Sequence, residues 1–443
     1  MFNFMIRELF NKSLKFFDQS EFFVVKSENY PVSFESNKLK EISKNQTSGL
    51  AIRGIKNGRL GLSSTTDQKR RNELLDRISN LVLYGPETKM VFPGRSHFID
   101  LNIFDDSLEK VTIDQVVNIV QLFIDKLTKI SPSILVDSKM GYLKGSTRII
   151  NSSGFDYDYD YSGSYFYANA NLIRGTDMLN IWDGCSSTGL VTQSQLDNTF
   201  LKIQKNLEWS ENITDSIDSD GEISVIFTPQ GFAGTFLGPL LEGFNGKNFA
   251  NKTSPISDLI NKKYLHEKFS IRDNPHLINS SQSRPFDDEG TPTRVVNFVE
   301  EGIVLEPYYD LQTSTQIGKE SSGSGSRSLS SNLYPSITNI EVKSGEENSS
   351  DIISRMKNGI IVDSLLGAGQ GNELGGEFKA NVSLGFRVIN GDVVGRIKDT
   401  MISGNIYKCL AQIESISSDF EQVYGSSKIP FIECKGVKVV SAS

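Results

Sequence analysis

Residues 283–305 read SRPFDDEGTPTRVVNFVEEGIVL, and this stretch predicts a turn followed by a β-hairpin. Three consecutive acids, Asp287, Asp288 and Glu289, are followed by Gly290, so the acids are expected on a turn that feeds a strand. The β-forming residues that come next are divided by a Glu-Gly pair, which is typical of a tight reversal between two strands. The most distinctive polar residues of the chain are therefore predicted on the turn that precedes a hairpin.

Two glycine-rich segments flank this hairpin in the sequence. Upstream, a short apolar strand at 225–227 ends at a proline and leads into an apolar, glycine-punctuated segment, 232–244, that is expected to form a short helix. Downstream, SSGSGSR at 321–327 has the composition of a linker and closes with Arg327. The acids between these segments are expected to accept backbone N–H bonds that fix the turn, and a carboxylate dyad or a cation site is the alternative that stays open.

Composition predicts an ordinary soluble globular protein. The chain has 443 residues, of which 37% are hydrophobic and 23% charged, and this length favours two domains. A net charge of -8 without a basic stripe disfavours direct nucleic-acid binding, since phosphate contacts need clustered Lys and Arg. Three scattered cysteines, no cleavable signal peptide and no apolar run of membrane-spanning length lead us to expect a cytoplasmic protein that contacts no membrane.

The periodicities predict an α+β fold in two domains. Residues 1–215 are expected to form a mixed domain with strands, a hairpin about Asn57–Gly58 and a helix that begins at a capping box on Thr112. The first strands are expected to break at Pro31. Residues 216–443 are expected to form a mainly antiparallel β domain with a further hairpin about Asn390–Gly391, and the polar run from position 215 is expected to join the two domains.

Other motifs that suggest catalytic or metal chemistry are incomplete. His266–Glu267 would begin a metallopeptidase helix only with a second histidine one turn later, and none is present. The alternation of Asp and Tyr over 156–161 has the period of a strand and lacks the glycine and glutamate of a calcium loop. No serine or cysteine stands in a motif with a base and an orienting acid, so no catalytic residue is predicted in this chain.

These motifs together resemble the TldD/PmbA family, also called TldD/TldE. The resemblance rests on the strand at 225–227, the glycine-rich segment after it, the DDEG turn with its hairpin, and the loop at 321–327. It is supported by LAIRGIKNGRLGLSSTTD from position 50, NSSGF from 151, SLGFRVINGDVV from 383 and ISGN from 402, and so covers nearly the whole chain. By this resemblance the 321–327 loop should be ordered, with Arg327 as a carboxylate partner of the acidic turn that helps to hold the second domain's cleft together.

The resemblance also implies that this chain lacks the zinc site of the family. In the catalytic TldD subunits, the strand equivalent to 225–227 leads into a helix with the motif HExxxH, whose histidines bind zinc. Matching the shared glycines puts Gly238 and Pro239 near the first His and the Glu, and Glu242 or the next residue near the second His. A further ligand, a cysteine near the C-terminus, corresponds to Tyr424. We therefore expect no metal in this PmbA/TldE-like chain, and zinc in a TldD-like partner.

The resulting hypothesis is a non-zinc-binding subunit of a TldD/TldE-type metallopeptidase complex that degrades or processes small unfolded peptides. The expected partner is a zinc-bearing, TldD-like paralogue in a heterodimer, with a homodimer as the other possibility. Peptides are expected to bind as an added strand at a sheet edge. Two alternatives stay open: a non-enzymatic regulatory or binding protein, in line with the family's older description as a modulator of DNA gyrase, and a stand-alone hydrolase that uses the acidic turn.

Overall fold

The computed structural model describes residues 2–214, 223–329, 332–369 and 371–441. Within them, the N-terminal half forms a seven-stranded antiparallel sheet in the order β4-β3-β1-β5-β6-β7, and β2 pairs with the end of β1. The strands are β1 (Gln19–Glu35), β2 (Lys38–Ile42), β3 (Asn45–Lys56), β4 (Arg59–Thr65), β5 (Leu135–Asn151), β6 (Asp156–Arg174) and β7 (Asp177–Ser187). The helices of this half are α1 (Phe2–Ser13), α2 (Glu73–Leu81), α3 (Ile113–Thr128) and α4 (Gln193–Trp209).

Several local predictions for this half are confirmed. Asn57 and Gly58 adopt φ angles of 50° and 71° and connect β3 to β4, as a two-residue reversal requires. Thr112 forms the predicted capping box at the start of α3. Along the first part of β6 the aspartates are exposed while the tyrosines are half-buried, so the segment at 156–161 is a strand with one solvated face.

The expected break at Pro31 is wrong, because β1 continues through it. The pairing of β1 with β3 ends at Asn29, and its pairing with β2 begins at Val32. Pro31 therefore lies in the gap between two partners on that edge, where no ladder bond needs its missing N–H group. On the other edge β5 pairs with β1 without interruption through Gly141, which lies opposite Pro31.

The C-terminal half is built on a larger sheet that is mainly antiparallel. Among the described residues its main path runs β12-β11-β10-β15-β21-β9-β16-β17-β18-β8, with β19, β20 and β22 attached. The strands are β8 (Ile213–Thr214), β9 (Ser224–Phe227), β10 (Ile271–Asp273), β11 (Val296–Glu300), β12 (Ile303–Val304), β15 (Ile340–Val342), β16 (Asn358–Leu366), β17 (Glu377–Ile389), β18 (Asp392–Ile397), β19 (Thr400–Asn405), β20 (Ile413–Val423), β21 (Ser427–Cys434) and β22 (Lys438–Ser441), while β13 (Gly325–Ser326) and β14 (Tyr334–Pro335) form a separate pair. The predicted hairpins at 301–302 and 390–391 are both present, so the α+β class with a β-rich C-terminal half is confirmed.

The described residues of this half also form six short α-helices. They are α5 (Pro229–Phe232), α6 (Gly238–Gly243), α7 (Gly246–Ala250), α8 (Leu311–Ile317), α9 (Ser349–Ser354) and α10 (Ile406–Ala411). None of the helices in the described parts of the chain is both long and apolar enough to cross a membrane.

One hydrophobic core is shared between the two halves. Apolar residues of α3 and α4 pack in the same cluster as Ile226, Phe386 and Phe431 of the second sheet. The predicted boundary at 215–216 lies outside the described residues, so the division into two domains at that point stays a prediction. The shared core means that the halves are joined by a large apolar contact.

Candidate functional site

The acidic turn is folded around the carboxylate of Asp287. Its Oδ1 accepts hydrogen bonds of 2.9 Å from the N–H groups of Glu289 and Thr291, and its Oδ2 accepts one of 2.8 Å from Gly325. Gly290 completes the turn with a φ of 81°, which a residue with a side chain rarely adopts. Asp287 is 1% exposed. The prediction that the acids fix the turn by accepting backbone bonds is therefore confirmed for Asp287.

Asp288 joins the turn to the glycine- and serine-rich loop. The N–H group of Asp288 donates to Gly325 O over 3.1 Å, and its Oδ2 accepts a bond of 2.9 Å from the N–H group of Arg327. Ser322 in the same loop is buried and donates through Oγ to Tyr309 O. The loop is thus an ordered part of the site and not a flexible linker.

Glu289 connects the turn to the N-terminal sheet. Its Oε1 accepts a bond of 2.8 Å from Nη1 of Arg53 on β3, and its Oε2 accepts one of 2.7 Å from the N–H group of Leu311 at the start of α8. Glu289 and Arg53 lie 236 positions apart in the chain. The acidic turn therefore contributes to the contact between the two halves of the molecule.

Glu21 on β1 is the centre of the buried ion-pair network. Nε of Arg53 donates to its Oε1 over 2.9 Å and Nη2 donates to its Oε2, while Nη2 of Arg327 lies 2.7 Å from Oε1. All four side chains of this Glu289–Arg53–Glu21–Arg327 network are almost fully buried. The expectation that Arg327 pairs with a carboxylate of the acidic turn is wrong for its side chain, which pairs with Glu21, and only its backbone N–H reaches the turn.

Sequence reasoning missed Glu21 and Arg53, although both carry a visible signal. Each is a single charged residue inside an apolar strand run, SEFFVV and LAIRGI respectively. A charged side chain is rarely buried without a partner of opposite sign, so such a position indicates a buried ion pair. The sequence could not say which residues supply the partners.

Burial and neighbouring cations shift the pKa values of the carboxyl groups of the acidic turn and of Glu21 in different directions. Burial raises the pKa of Glu289 to about 8 and that of Asp287 to about 6, because desolvation outweighs the attraction of Arg53 on the first and of Arg284 on the second. Burial would also raise the pKa of Glu21, but Arg327 and Arg53 together hold it below its ordinary value. Glu21 is thus the stable anion of the network, whereas burial favours the protonated form of Glu289.

These shifts predict a distinctive pH dependence for the Glu289→Gln variant. Between the ordinary pKa of a glutamate and about 8, folded wild-type protein binds a proton at Glu289 that the unfolded chain has released. The stability that this proton contributes to the folded state is therefore lost as pH rises, by up to about 1.4 kcal/mol per pH unit. Glutamine does not titrate, so the variant should gain stability relative to wild type between pH 5 and 8, as measured by urea unfolding. The exposed variant Glu300→Gln should follow the wild-type profile, and parallel curves for Glu289→Gln and wild type would contradict the prediction.

The segment after β9 holds the positions that were predicted to replace the zinc motif. Thr228 caps α5 by accepting a bond from Gly231 N, and a π-helical stretch then leads into α6. Gly238 and Pro239 lie in the first turn of α6, where a proline is tolerated, and Glu242 accepts a bond of 3.0 Å from Asn248. The match of these residues to HExxxH stays a prediction.

A lysine-centred polar cluster lies where β9 passes into α5. Nζ of Lys202, on α4, lies 2.5 Å from Oε2 of Glu421, 3.1 Å from Oδ1 of Asp183 and 3.4 Å from Oε1 of Gln230. The attraction of the two carboxylates outweighs burial and raises the pKa of Lys202, so the ammonium stays charged. This cluster again joins the N-terminal half, through α4 and β7, to the C-terminal half.

Asp363 and Tyr424 complete this lysine cluster. Asp363, within β16, accepts a bond of 2.9 Å from Thr228 Oγ1, and burial raises its pKa to about 6. Tyr424 stacks on Trp182 and lies near Lys202. Tyr424, which the resemblance matches to the family's cysteine ligand, is thus close to the same ammonium group as Gln230 in α5.

The residues matched to HExxxH do not fit a zinc ion. Catalytic zinc is held by about three imidazole, thiolate or carboxylate ligands, whereas the side chains of Gly238 and Pro239 offer no ligand atom and Glu242 is the one carboxylate at the three matched positions. Within the described ranges, no three His, Cys, Asp or Glu residues are grouped so that they could hold a metal. The His266–Glu267 pair is separate from the lysine cluster, since Glu267 pairs with Lys263 on the surface.

Comparisons with known proteins agree with this architecture. Residues 220–441 match the model of the PmbA/TldA metallopeptidase C-terminal domain, and residues 20–82 match that of PmbA/TldA metallopeptidase domain 1. A metalloprotease PmbA homolog of Haemophilus influenzae is 23% identical over 313 residues, which are 67% of this chain and 66% of that protein.

Two solved structures share the fold over almost the whole chain. TldE from Thermococcus kodakarensis superposes with a TM-score of 0.89 at 24% identity, over 98% of this chain and all of that one. A proposed modulator of a DNA gyrase from Thermotoga maritima superposes with a TM-score of 0.86 at 19% identity, over 99% of this chain and all of that one. At these identities the structures establish the shared fold.

Proposed function

Because the chain belongs to the PmbA/TldD metallopeptidase family, we propose that it is the non-zinc-binding, PmbA/TldE-like subunit of a cytoplasmic peptidase complex. The complex degrades or processes small unfolded peptides. The zinc ion and the groups that activate water belong to a TldD-like paralogue, which pairs with this chain as a heterodimer. This chain supplies a scaffold and a surface for peptide binding.

One observation carries the proposal: the segment after β9, which includes the positions matched to HExxxH, offers no imidazole. The chain has three histidines in all, at positions 97, 266 and 276, so shifting the match by a few residues supplies none near β9. A water molecule becomes a nucleophile at neutral pH when a zinc ion lowers its pKa, and nothing at this position does so. Cleavage therefore requires a second chain.

The acidic turn is not proposed as a catalytic site. The oxygens of Asp287 accept three backbone bonds, and those of Glu289 accept bonds from Arg53 and Leu311. Carboxyl groups engaged in this way hold the chain in place and have no free oxygen directed at a substrate. The turn is therefore given a structural role.

Co-expression with a TldD-like chain tests the proposal. We expect the two chains to purify together, with zinc present in the complex and absent from this chain alone. The complex should cleave unfolded peptides in a chelator-sensitive manner and leave folded proteins intact, as binding of substrate as an added strand requires.

Two results would overturn this assignment. Stoichiometric zinc with chelator-sensitive cleavage by this chain alone would make it an enzyme in its own right. A monodisperse monomer that does not associate with the paralogue, and that binds peptides without cleaving them, would favour the regulatory or binding role instead.

A further inference from the structure

A polar cavity of about 280 Å³ lies between the N-terminal sheet and three loops of the C-terminal half. The sheet contributes Phe23, Thr147 and two tyrosines from β6, and the loops contribute residues from 281–288, 326–327 and 336–338. The cavity is next to the Glu289–Arg53–Glu21–Arg327 network but contains none of the residues near Lys202.

Two guanidinium groups line this cavity. Arg284 has a side chain that is 13% exposed, and its Nη1 is 3.9 Å from Oδ2 of Asp288, which is too long for a hydrogen bond. Its Nε has no hydrogen-bond partner among the described residues. The side chain of Arg327 is 1% exposed, stacks on Phe23 and likewise leaves Nε and Nη1 without a partner in the described parts of the chain. Buried guanidinium donors without acceptors are unfavourable, and an oxyanion is the acceptor that matches them.

The remaining lining consists mainly of hydroxyl donors. Burial raises the pKa values of the Tyr159 and Tyr161 phenols, so both keep their protons at neutral pH. Ser281 and Ser326 add further hydroxyl groups. Asp288 is the one carboxylate of the lining, and its Oδ2 is already engaged by the N–H group of Arg327.

We propose that this cavity binds a small oxyanion, with the α-carboxylate of a short peptide as its source. The oxyanion chemistry follows from the two guanidinium groups and the hydroxyl lining. The choice of a peptide carboxylate rests on the proposed function, since a peptidase complex meets free peptide carboxylates as substrates and products. Arg284 is the primary contact because its head group is partly accessible within the cavity.

Binding to the isolated chain tests the site without needing the paralogue or zinc. Trialanine, trialanine amide and inorganic phosphate are titrated by calorimetry at constant ionic strength. We expect trialanine to bind and its amide to bind at least about tenfold more weakly, because the amide cannot accept the charge-assisted hydrogen bonds that a carboxylate accepts from a guanidinium group. Arg284→Gln should abolish this preference, whereas Arg294→Gln, which removes an exposed arginine paired with Glu306, should retain it.

Gln282 provides a pair of variants that leave the buried groups intact. Its side chain is exposed and lines the cavity. Gln282→Lys should tighten binding of the free peptide and Gln282→Glu should weaken it, and both should fold because the position is on the surface. Equal affinities for these two variants, or for the acid and the amide in wild-type protein, would overturn the site. Binding of phosphate but not of trialanine would support an oxyanion site and overturn the peptide carboxylate as its ligand. Peptide binding without cleavage in the reconstituted complex would refute the proposed function and leave the binding site valid.

Discussion

Replacing Glu21 by glutamine is expected to lower the free energy of unfolding by about 3–5 kcal/mol. Glu21 is the anion that both Arg53 and Arg327 contact, and all three side chains are almost fully buried. Glutamine keeps the size of the side chain but removes the charge, so two buried cations lose their common counter-ion. Arg53 then keeps its contact with Glu289, whose pKa burial raises to about 8, while Arg327 loses its ion pair. Urea unfolding at pH 7 measures the loss.

A matched variant at the exposed end of the same strand separates this effect from the loss of any glutamate. Glu35 pairs with Lys40 on the surface, and Glu35→Gln should lower the free energy of unfolding by less than about 1 kcal/mol. A double-mutant cycle identifies the partner of Arg327: coupling should be large between positions 21 and 327 and small between positions 288 and 327, where the contact is to a backbone N–H group. A Glu21→Gln curve that overlays the wild-type curve would show that the network is dispensable.

Replacing Lys202 by methionine is expected to lower the free energy of unfolding by about 3 kcal/mol at pH 7.5. This is the lower end of the range for a broken buried ion pair, because the ammonium is partly accessible to solvent. Methionine keeps much of the apolar stem but leaves Asp183, Glu421 and Asp363 without their cation. Mutual repulsion then favours the protonated forms of these acids, so the variant should bind protons on folding. Its stability relative to wild type should therefore rise as pH falls from about 8 to 5, through the range in which Asp363, with its pKa of about 6, titrates.

Lys205 is the matched control for this experiment. It lies one turn further along α4, where its ammonium contacts the ring of Trp209. Lys205→Met should lower the free energy of unfolding by about 1 kcal/mol or less. It should change the pH profile less than Lys202→Met does, because Glu421 and Asp363 act on its ammonium without an ion pair. If Lys202→Met lost stability equally at pH 5 and pH 8, the loss would reflect packing and not the charge of the cluster.

The features that could be predicted from the sequence are those governed by neighbouring residues. The reversals at Asn57–Gly58 and Asn390–Gly391 follow from residues that tolerate positive φ angles, and the capping box on Thr112 follows from a side chain three positions away. The alternation at 156–161 indicates a half-solvated strand for the same reason, because side-chain direction in a strand alternates with position. The absence of a histidine near 225–244 is also a property of the sequence alone.

The partners of the buried charges depended on tertiary structure. Arg327 was expected to pair with the acidic turn, but the turn and the loop bind each other through backbone groups, and docking against β1 places Glu21 at the guanidinium. Lys202 had no recognisable signal, since a lysine on a helix is most often solvated. The continuity of β1 through Pro31 likewise depended on which strands pair on either side of it.

The sequence by itself determined the turns, the caps, the strand periodicity and the lack of an imidazole after β9, because each depends on bonds within a few residues. Only the tertiary structure decided that Glu21, Arg53, Glu289 and Arg327 form one network and that Lys202 lies beside the end of β9. The physical reason is that an ion pair between distant positions forms wherever the packing of apolar faces brings the charges together. That packing is a property of the whole chain, and a buried charge takes its partner from whatever surface docks against it.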